Sequence, residues 1–141
     1  VYRRRIKRLM TKVHILKLSD EDLLWLFNDS SDESSALSEL RAIANVELLI
    51  LTQGSKGSLI WHNDKWNKAP AYPVGTLSDT VGAGDTFMAS VLVWLTKNEN
   101  LKRLAILELQ EKQDLQNYAA KAASLNCKKQ GCNPPWENEL I

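Results

Sequence analysis

Residues 79–87 carry the pattern most suited to chemistry, in the order Asp-Thr-Val-Gly-Ala-Gly-Asp-Thr-Phe. Gly82, Ala83 and Gly84 leave the backbone almost uncovered at the start of a predicted helix, where unpaired N–H groups and the helix dipole attract anions. The Asp85 carboxylate would repel an anion there unless it takes a proton from a hydroxyl that attacks that anion. The pattern therefore predicts phosphoryl transfer, with amides that stabilise phosphate charge and Asp85 as the base.

A second glycine-rich stretch separates two apolar runs of strand type. It matches neither the phosphate loop GxxxxGK[ST] nor the dinucleotide fingerprint GxGxxG. Two interpretations stay open: a ligand-binding turn at the carboxyl end of a parallel strand, or the turn of a β-hairpin. The stretch consists of Thr52, Gln53, Gly54, Ser55, Lys56 and Gly57.

Residues 13–26 read as a strand followed by a capped helix. An apolar run is followed by Ser19, and then by Asp20, Glu21 and Asp22. Serine is a favoured helix N-cap, and acidic residues stabilise the first turn of a helix. A strand that leads directly into a helix is half of a β–α–β unit, which indicates an α/β fold.

The rest of the chain alternates helical and strand-like patterns. Pro70 and Pro73 exclude a helix from the segment that leads to residues 79–87. Regular structure is expected to end at residues 131–135. Helices are predicted over 1–12, 36–44, 85–95, 101–109 and 115–125. Strands are predicted over 46–51, 58–61 and 65–68, and the last two are expected to pair. The remaining predictions are a loop over 28–35 and an extended segment over 69–76.

Composition narrows the classes of function. A net charge of +1 provides no overall field for nucleic acid or an anionic membrane, and the longest apolar run, near residues 91–95, is too short to cross a bilayer. The 44% hydrophobic content suits one domain or part of a larger one, and no signal peptide is legible, so we expect a cytoplasmic protein. Cys127 and Cys132 lack zinc or redox spacing, so we expect reduced thiols, and His14 and His62 are isolated, so we expect ordinary packing or surface roles for them.

Four of these segments together resemble the ribokinase-like carbohydrate kinases, or PfkB family, and most closely their fructokinase-like branch. Residues 79–87 resemble the family's C-terminal signature, and the others are Lys17-Leu18-Ser19, the glycine-rich stretch and the ending over 131–136. The resemblance implies a three-layer, Rossmann-like α/β fold. It also implies that residues 1–141 are the C-terminal, nucleotide-binding half of such a kinase domain, without its lid and early strands.

The same resemblance implies roles for individual residues. Asp85 would be the general base for a sugar hydroxyl, and Gly82, Ala83 and Gly84 would supply the anion-hole amides. Contacts to the nucleotide would come from Thr52, Gln53, Gly54, Ser55, Lys56, Gly57, Ser19 and, beside the adenine, Ala120. Some relatives hold a monovalent cation through backbone carbonyls, and the matching positions are Asp79, Val81, Asn126, Lys129 and Gly131.

One position departs from the family pattern. Relatives often carry Asn-x-x-Glu after the strand, where the pair organises water around magnesium and phosphate. The aligned residues here are Ser19 and Asp22. Three interpretations stay open: a water-mediated magnesium contact by Asp22, its replacement by Glu21, or a plain helix cap.

The resemblance thus implies an ATP-dependent sugar kinase that transfers the γ-phosphate to a sugar hydroxyl, with Mg²⁺ and in some relatives K⁺. Fructose is the expected substrate, nucleic acid and membranes are not expected partners, and a homodimer is open for the full-length protein. Two alternatives remain. One is a truncated, non-catalytic nucleotide-binding fragment, and the other is a relative that acts on a nucleoside or a keto-deoxy sugar acid.

Overall fold

The computed structural model describes residues 1–140, in which a four-stranded mixed sheet has helices on both faces. β1 and β2 are parallel, whereas β2–β3 and β3–β4 are antiparallel, so the predicted pairing of the strands over 58–61 and 65–68 is confirmed. Ser19 pairs with Thr52, and the carboxyl ends of the two parallel strands therefore meet at one edge of the sheet. In order across the sheet, the strands are β1 (Ile15–Ser19), β2 (Leu48–Thr52), β3 (Ser58–His62) and β4 (Lys65–Ala69).

Five α-helices form the outer layers. α1 (Tyr2–Met10), α2 (Asp20–Leu26) and α3 (Glu33–Ile43) cover one face, and α4 (Ala83–Lys97) and α5 (Leu109–Cys127) cover the other. α2 and α3 lie in the chain between the parallel strands β1 and β2, which is the predicted β–α–β arrangement. None of the helices within residues 1–140 combines the length and the apolar character needed to span a membrane.

The middle strand β2 has an uninterrupted apolar sequence because both of its faces are covered. Leu49 and Leu51 pack towards α1, α2 and α3, and Leu48 and Ile50 pack towards α4 and α5. All four are at most 1% exposed. Successive side chains of a strand point to opposite faces, so a strand between two helical layers needs apolar residues at every position. The predicted three-layer α/β fold is confirmed.

The predicted helix over 101–109 is wrong. Two short 3₁₀ turns, Asn100–Lys102 and Leu104–Ile106, occupy this segment. Leu104 is buried against the sheet, but most of the segment faces solvent and lacks the continuous apolar stripe that stabilises a packed helix. The helix predicted over 115–125 is correct in its core but begins earlier, at Leu109, because the Glu111 carboxylate accepts the N–H of Glu108 at 2.9 Å.

The predicted loop over 28–35 is shorter in the structure, because α3 already begins at Glu33. The Asp32 carboxylate caps this helix by accepting the N–H of Ser35 at 2.8 Å. This hydrogen bond also lowers the pKa of Asp32. An aspartate N-cap has the same sequence signature as an acidic loop, which explains the error in the boundary.

Candidate active site

A cavity of about 550 Å³ opens where five parts of the fold meet. These are the carboxyl ends of β1 and β2, the turn between β2 and β3, the extended segment between β4 and α4, the start of α4, and one side of α5. Its volume is in the range of sites for small molecules. Of the residues predicted to contact a nucleotide or a phosphoryl group, the cavity is lined by Ser19, Thr52, Gly54, Ser55, Gly57, Ala83, Gly84 and Ala120.

The turn that starts α4 depends on Gly82. This residue precedes the helix with φ +76°, in the left-handed region that favours glycine. A Cβ on Gly82 would overlap the Sγ of Cys132 and would lie 2.8 Å from its Cβ. Both the backbone conformation and the close approach of Cys132 therefore require glycine at this position.

The first turn of α4 presents unpaired backbone donors. The N–H of Ala83 donates to the carbonyl of Thr80 at 3.2 Å, but the N–H groups of Gly84 and Asp85 donate to no acceptor within residues 1–140. Unpaired donors at the positive end of a 15-residue helix can bind a phosphate oxygen. The turn can therefore act as an anion hole through Gly84 and Asp85, and the N–H of Gly82 also has no acceptor within residues 1–140, whereas the predicted donor Ala83 already binds within the turn.

Two charged side chains lie beside these donors. Asp85 is in the first turn of α4 with an exposed side chain, as a base that must meet a substrate requires. The Nζ atom of Lys17 lies 3.0 Å from where a Cβ on Gly84 would be. Burial lowers the pKa of the Lys17 ammonium, while the negative charges of Asp22 and Asp85 act in the opposite direction.

The glycine-rich stretch is the turn of a β-hairpin and also lines the cavity. The N–H of Gln53 donates to the carbonyl of Gly57 at 2.8 Å, and Gly54–Lys56 form one 3₁₀ turn between the antiparallel strands β2 and β3. Gly57 has φ +98°, and a Cβ there would overlap the backbone of Ala69. Gln53 donates its side-chain amide to Glu33 at 2.7 Å, and neither Gln53 nor Lys56 lines the cavity.

Ser19 and Asp22 form the cap of α2. The Ser19 hydroxyl accepts the N–H of Asp22 at 3.0 Å, and the Asp22 carboxylate accepts the N–H of Ser19 at 3.1 Å. The hydrogen bonds expected of a plain helix cap are therefore present. Ser19, Asp20 and Glu21 line the cavity, and Asp22 does not. Glu21 is thus better placed than Asp22 to face a ligand in the cavity.

The residues predicted for a monovalent cation lie together behind the start of α4. The Asp79 carboxylate accepts the N–H of Val81 at 3.0 Å and the N–H of Gly131 at 2.9 Å. Asn126, which is 0% exposed, donates to the carbonyl of Val81 at 2.8 Å, and its own carbonyl accepts the N–H of Lys129 at 3.0 Å. These bonds join the segment before α4 to the segment after α5.

This junction carries a fixed negative charge. The backbone N–H groups of Val81 and Gly131 lower the pKa of Asp79, so its carboxylate stays ionised at neutral pH. Backbone carbonyls and a carboxylate are oxygen ligands of the kind that cations bind, and the carbonyls of Val81 and Asn126 already accept hydrogen bonds from the Asn126 side chain and the Lys129 N–H. Within residues 1–140, no group of three or more His, Cys, Asp or Glu side chains could hold a metal ion by itself.

A second cavity, of about 660 Å³, lies at the opposite edge of the sheet, and none of the predicted site residues lines it. His14, His62 and Lys112 are among its lining residues. Lys112 is 4% exposed, and its Nζ lies 3.1 Å from the Nδ1 of His62. Burial and the charge of Lys112 lower the pKa of His62.

Solved structures define the class of protein to which this fold belongs. The aminoimidazole riboside kinase of Salmonella enterica, complexed with aminoimidazole riboside and an ATP analog, matches with a TM-score of 0.82 over 99% of this chain and 44% of that chain, at 22% identity. A fructokinase double mutant of Vibrio cholerae in a fructose, ADP and potassium ion bound form matches with a TM-score of 0.74 over 92% of this chain and 39% of that chain, at 20% identity. The fold is that of the ribokinase-like α/β proteins.

The sequence defines the family within this class. The family model described as pfkB family carbohydrate kinase matches residues 2–139, and the chain belongs to this family. The fructokinase of Rhizobium leguminosarum bv. trifolii is 37% identical over 107 residues, which are 76% of this chain and 32% of that protein. The predicted family is confirmed, and the chain spans less than half the length of these relatives.

Proposed function

We propose that residues 1–141 form the C-terminal, nucleotide-binding half of a cytoplasmic, ATP-dependent kinase that phosphorylates fructose. The observation that carries the proposal is the pair of unpaired N–H groups of Gly84 and Asp85 at the start of α4. A site that binds phosphate next to a carboxylate suits transfer of a phosphoryl group to a hydroxyl. Membership of a carbohydrate kinase family supports a sugar as the acceptor.

In this proposal Asp85 is the general base. Its carboxylate takes the proton of the attacking sugar hydroxyl, whose oxygen forms a bond to the γ-phosphorus in line with the bond that breaks to release ADP. The N–H groups of Gly84 and Asp85 hold the phosphoryl oxygens while charge develops on them. Because these donors are fixed by α4, they need no reorganisation during the reaction.

The nucleotide lies along the cavity in this proposal. Its phosphates follow the hairpin turn past Thr52, Gly54 and Gly57, and its adenine lies against Ala120, where a small side chain leaves room for a flat ring. Ser55 contacts the phosphates from the cavity lining, and Gln53 and Lys56 flank the turn from outside the cavity, with Gln53 held through Glu33.

Two cations complete the proposed site. Mg²⁺ neutralises phosphate charge when it is bound, and Ser19, Glu21 and Asp22 would contact it through water. K⁺ would be held by the carbonyls near Asp79, Val81, Asn126, Lys129 and Gly131. The negative charge of Asp79 and the oxygen-rich junction support this second assignment.

Two alternatives have their own support. The chain covers 32% of the length of the Rhizobium leguminosarum fructokinase, which favours a non-catalytic nucleotide-binding fragment if nothing else completes the sugar site. The similarity to an aminoimidazole riboside kinase favours a nucleoside as the acceptor in place of fructose. In a full-length protein, the N-terminal half and a homodimer interface would decide which acceptor binds.

The experiment measures nucleotide binding and phosphoryl transfer separately. ATP is titrated into the chain by calorimetry, and ADP release is followed in a full-length version with fructose and with aminoimidazole riboside. Asp85→Asn should reduce turnover by about 10²- to 10⁴-fold and leave ATP binding measurable, because only the base is lost. Asp29→Asn, an exposed carboxylate between α2 and α3, should change neither quantity.

Each alternative has a distinct outcome. ATP binding without ADP release from either acceptor would replace the proposal with the non-catalytic fragment. ADP release with aminoimidazole riboside but not with fructose would replace fructose by a nucleoside as the proposed substrate. Full turnover in Asp85→Asn would remove its role as the base.

A further inference from the structure

The second cavity contains a buried lysine that has no carboxylate partner. Lys112 of α5 lines this cavity and is 4% exposed. Its Nζ lies 3.1 Å from the Nδ1 of His62, and it makes no ion pair within residues 1–140. An ammonium carries three donors, of which one imidazole nitrogen accepts only one. The other donors of this buried charge therefore lack an acceptor within residues 1–140, which is unfavourable unless a ligand supplies one.

The charged residues around this cavity leave an excess of positive charge. Its lining contains two lysines, Lys12 and Lys112, and one acidic residue, Glu47. Lys12 and Glu47 face solvent, so water screens their charges, whereas Lys112 is buried. His14 and His62 are the remaining titratable groups of the lining, and the lowered pKa of His62 keeps its imidazole neutral at neutral pH. One buried positive charge is therefore left without a counter-charge.

The rest of the lining can hold the neutral part of a small molecule. The side-chain amides of Asn45 and Asn63 offer donors and acceptors, and Trp61 provides an aromatic surface. The Trp61 ring is fixed from behind, because Trp66 packs edge-on against it with ring centroids 5.2 Å apart. This cavity lies at the amino ends of β1 and β2, and it shares no lining residue with the proposed nucleotide site.

We propose that the second cavity is a binding site for a small organic carboxylate, with Lys112 as its counter-ion. The carboxylate oxygens accept hydrogen bonds from the Nζ of Lys112, and the neutral remainder of the ligand lies against Trp61 and the two asparagine amides. A carboxylate carries one negative charge, which matches the single buried ammonium. A phosphate dianion or a nucleoside triphosphate would bring surplus negative charge into the same space, so we expect both to bind less tightly. This inference does not rest on the proposed function.

The test follows the ¹⁵N-labelled chain by nuclear magnetic resonance while acetate is added at constant ionic strength. The backbone amides of His62 and Lys112 should show saturable shifts, with ATP present or absent. Lys112→Met keeps most of the stem and removes the charge, and it should weaken acetate binding by about 10-fold or more. Lys112→Gln should show the same loss, so the result does not depend on the folding of one variant, and Lys112→Arg should retain part of the affinity. Lys68→Met, on the exposed side of β4, should leave the affinity unchanged.

A parallel titration with inorganic phosphate tests the preference for a carboxylate. Acetate binding that depends on Lys112 and exceeds phosphate binding would support the proposal. Absence of saturable shifts with acetate, or equal acetate affinity in Lys112→Met and the unmodified chain, would overturn the site. Tighter binding of phosphate than of acetate would overturn the assignment to a carboxylate. Failure of the chain to bind ATP would refute the proposed function alone, because none of these titrations requires bound ATP.

Discussion

Replacing Gly82 with alanine should destabilise the start of α4 in two ways. Gly82 has φ +76°, and the left-handed conformation costs a residue with a Cβ about 1–2 kcal/mol. The new Cβ would also overlap the Sγ of Cys132, which cannot retreat freely because the N–H groups on both of its neighbours are bound by Asp79 and Asn126. Overpacking of this kind adds about 1–3 kcal/mol. The free energy of unfolding should therefore fall by about 2–5 kcal/mol.

Gly75 is a matched control for the conformational part of this effect. It has φ +73°, and a Cβ there would meet nothing within 4 Å. Gly75→Ala should therefore cost only about 1–2 kcal/mol. The overlap is isolated by adding Cys132→Gly to Gly82→Ala, which removes the Sγ and the Cβ and leaves the Cα of residue 132 at 3.3 Å. The double variant should recover about 1–3 kcal/mol relative to the sum of the single effects.

Urea unfolding followed by tryptophan fluorescence measures these differences. With a dependence of about 2 kcal/mol per molar urea, Gly82→Ala should lower the midpoint by about 1–2.5 M, and Gly75→Ala should lower it by clearly less. ATP affinity should fall with Gly82→Ala as well, because the N–H groups of α4 are displaced. Equal losses for the two glycine variants, or purely additive effects in the double variant, would contradict the packing of this turn against Cys132.

Two further predictions use the same unfolding assay. Asn126→Leu leaves two backbone partners unpaired and should lower the free energy of unfolding by about 2–5 kcal/mol, whereas Asn117→Leu, exposed on the same helix, should change it by less than about 0.5 kcal/mol. Similar losses for both would remove the bridging role of Asn126. The pKa of His62 is lower in the folded chain than in the unfolded chain, so the unfolded chain binds a proton at a higher pH. The free energy of unfolding should therefore decrease as the pH falls below 6.5. Lys112→Met should weaken that dependence and His62→Gln should abolish it, and an unaltered pH profile in His62→Gln would refute the assignment.

The local elements that position the site were predictable from short stretches of sequence. The apolar run of β2, the serine cap of α2 and the glycines before α4 each depend on residues within a few positions of one another. Such patterns determine backbone conformation and burial directly. They sufficed to predict an α/β fold, which is confirmed, and the phosphate site that they predict at the start of α4 stays a prediction.

Features that depend on distant contacts were not predictable in this way. The stretch over 52–57 is a hairpin turn because β3 returns antiparallel to β2, and it also lines the cavity because α4 and α5 lie across that edge of the sheet. The hairpin interpretation is thus confirmed, and the ligand-binding interpretation stays a prediction for a turn that also lines a cavity. The turns over 100–106 failed as a helix because their apolar residues do not share one buried face.

Lys17 is the residue of the site to which sequence reasoning gave no role. Its local signals are a charge within an apolar strand, which is equally consistent with an exposed strand position, and its place in the Lys17-Leu18-Ser19 segment of the family resemblance. Its place in the site depends on the approach of Gly84, which is far away in the sequence. Reading every inward-facing charge in a buried strand as a candidate ligand would have identified it.

Binding of the ATP phosphates at the start of α4 is tested most directly by nuclear magnetic resonance of the backbone amides. ATP is titrated into the ¹⁵N-labelled chain, and the resonances of Gly84 and Asp85 are followed together with those of His14 and His62 in the second cavity. We predict large, saturable shifts of the first pair and none in the second. Unchanged resonances at Gly84 and Asp85 with saturable shifts elsewhere would contradict the proposed phosphate site.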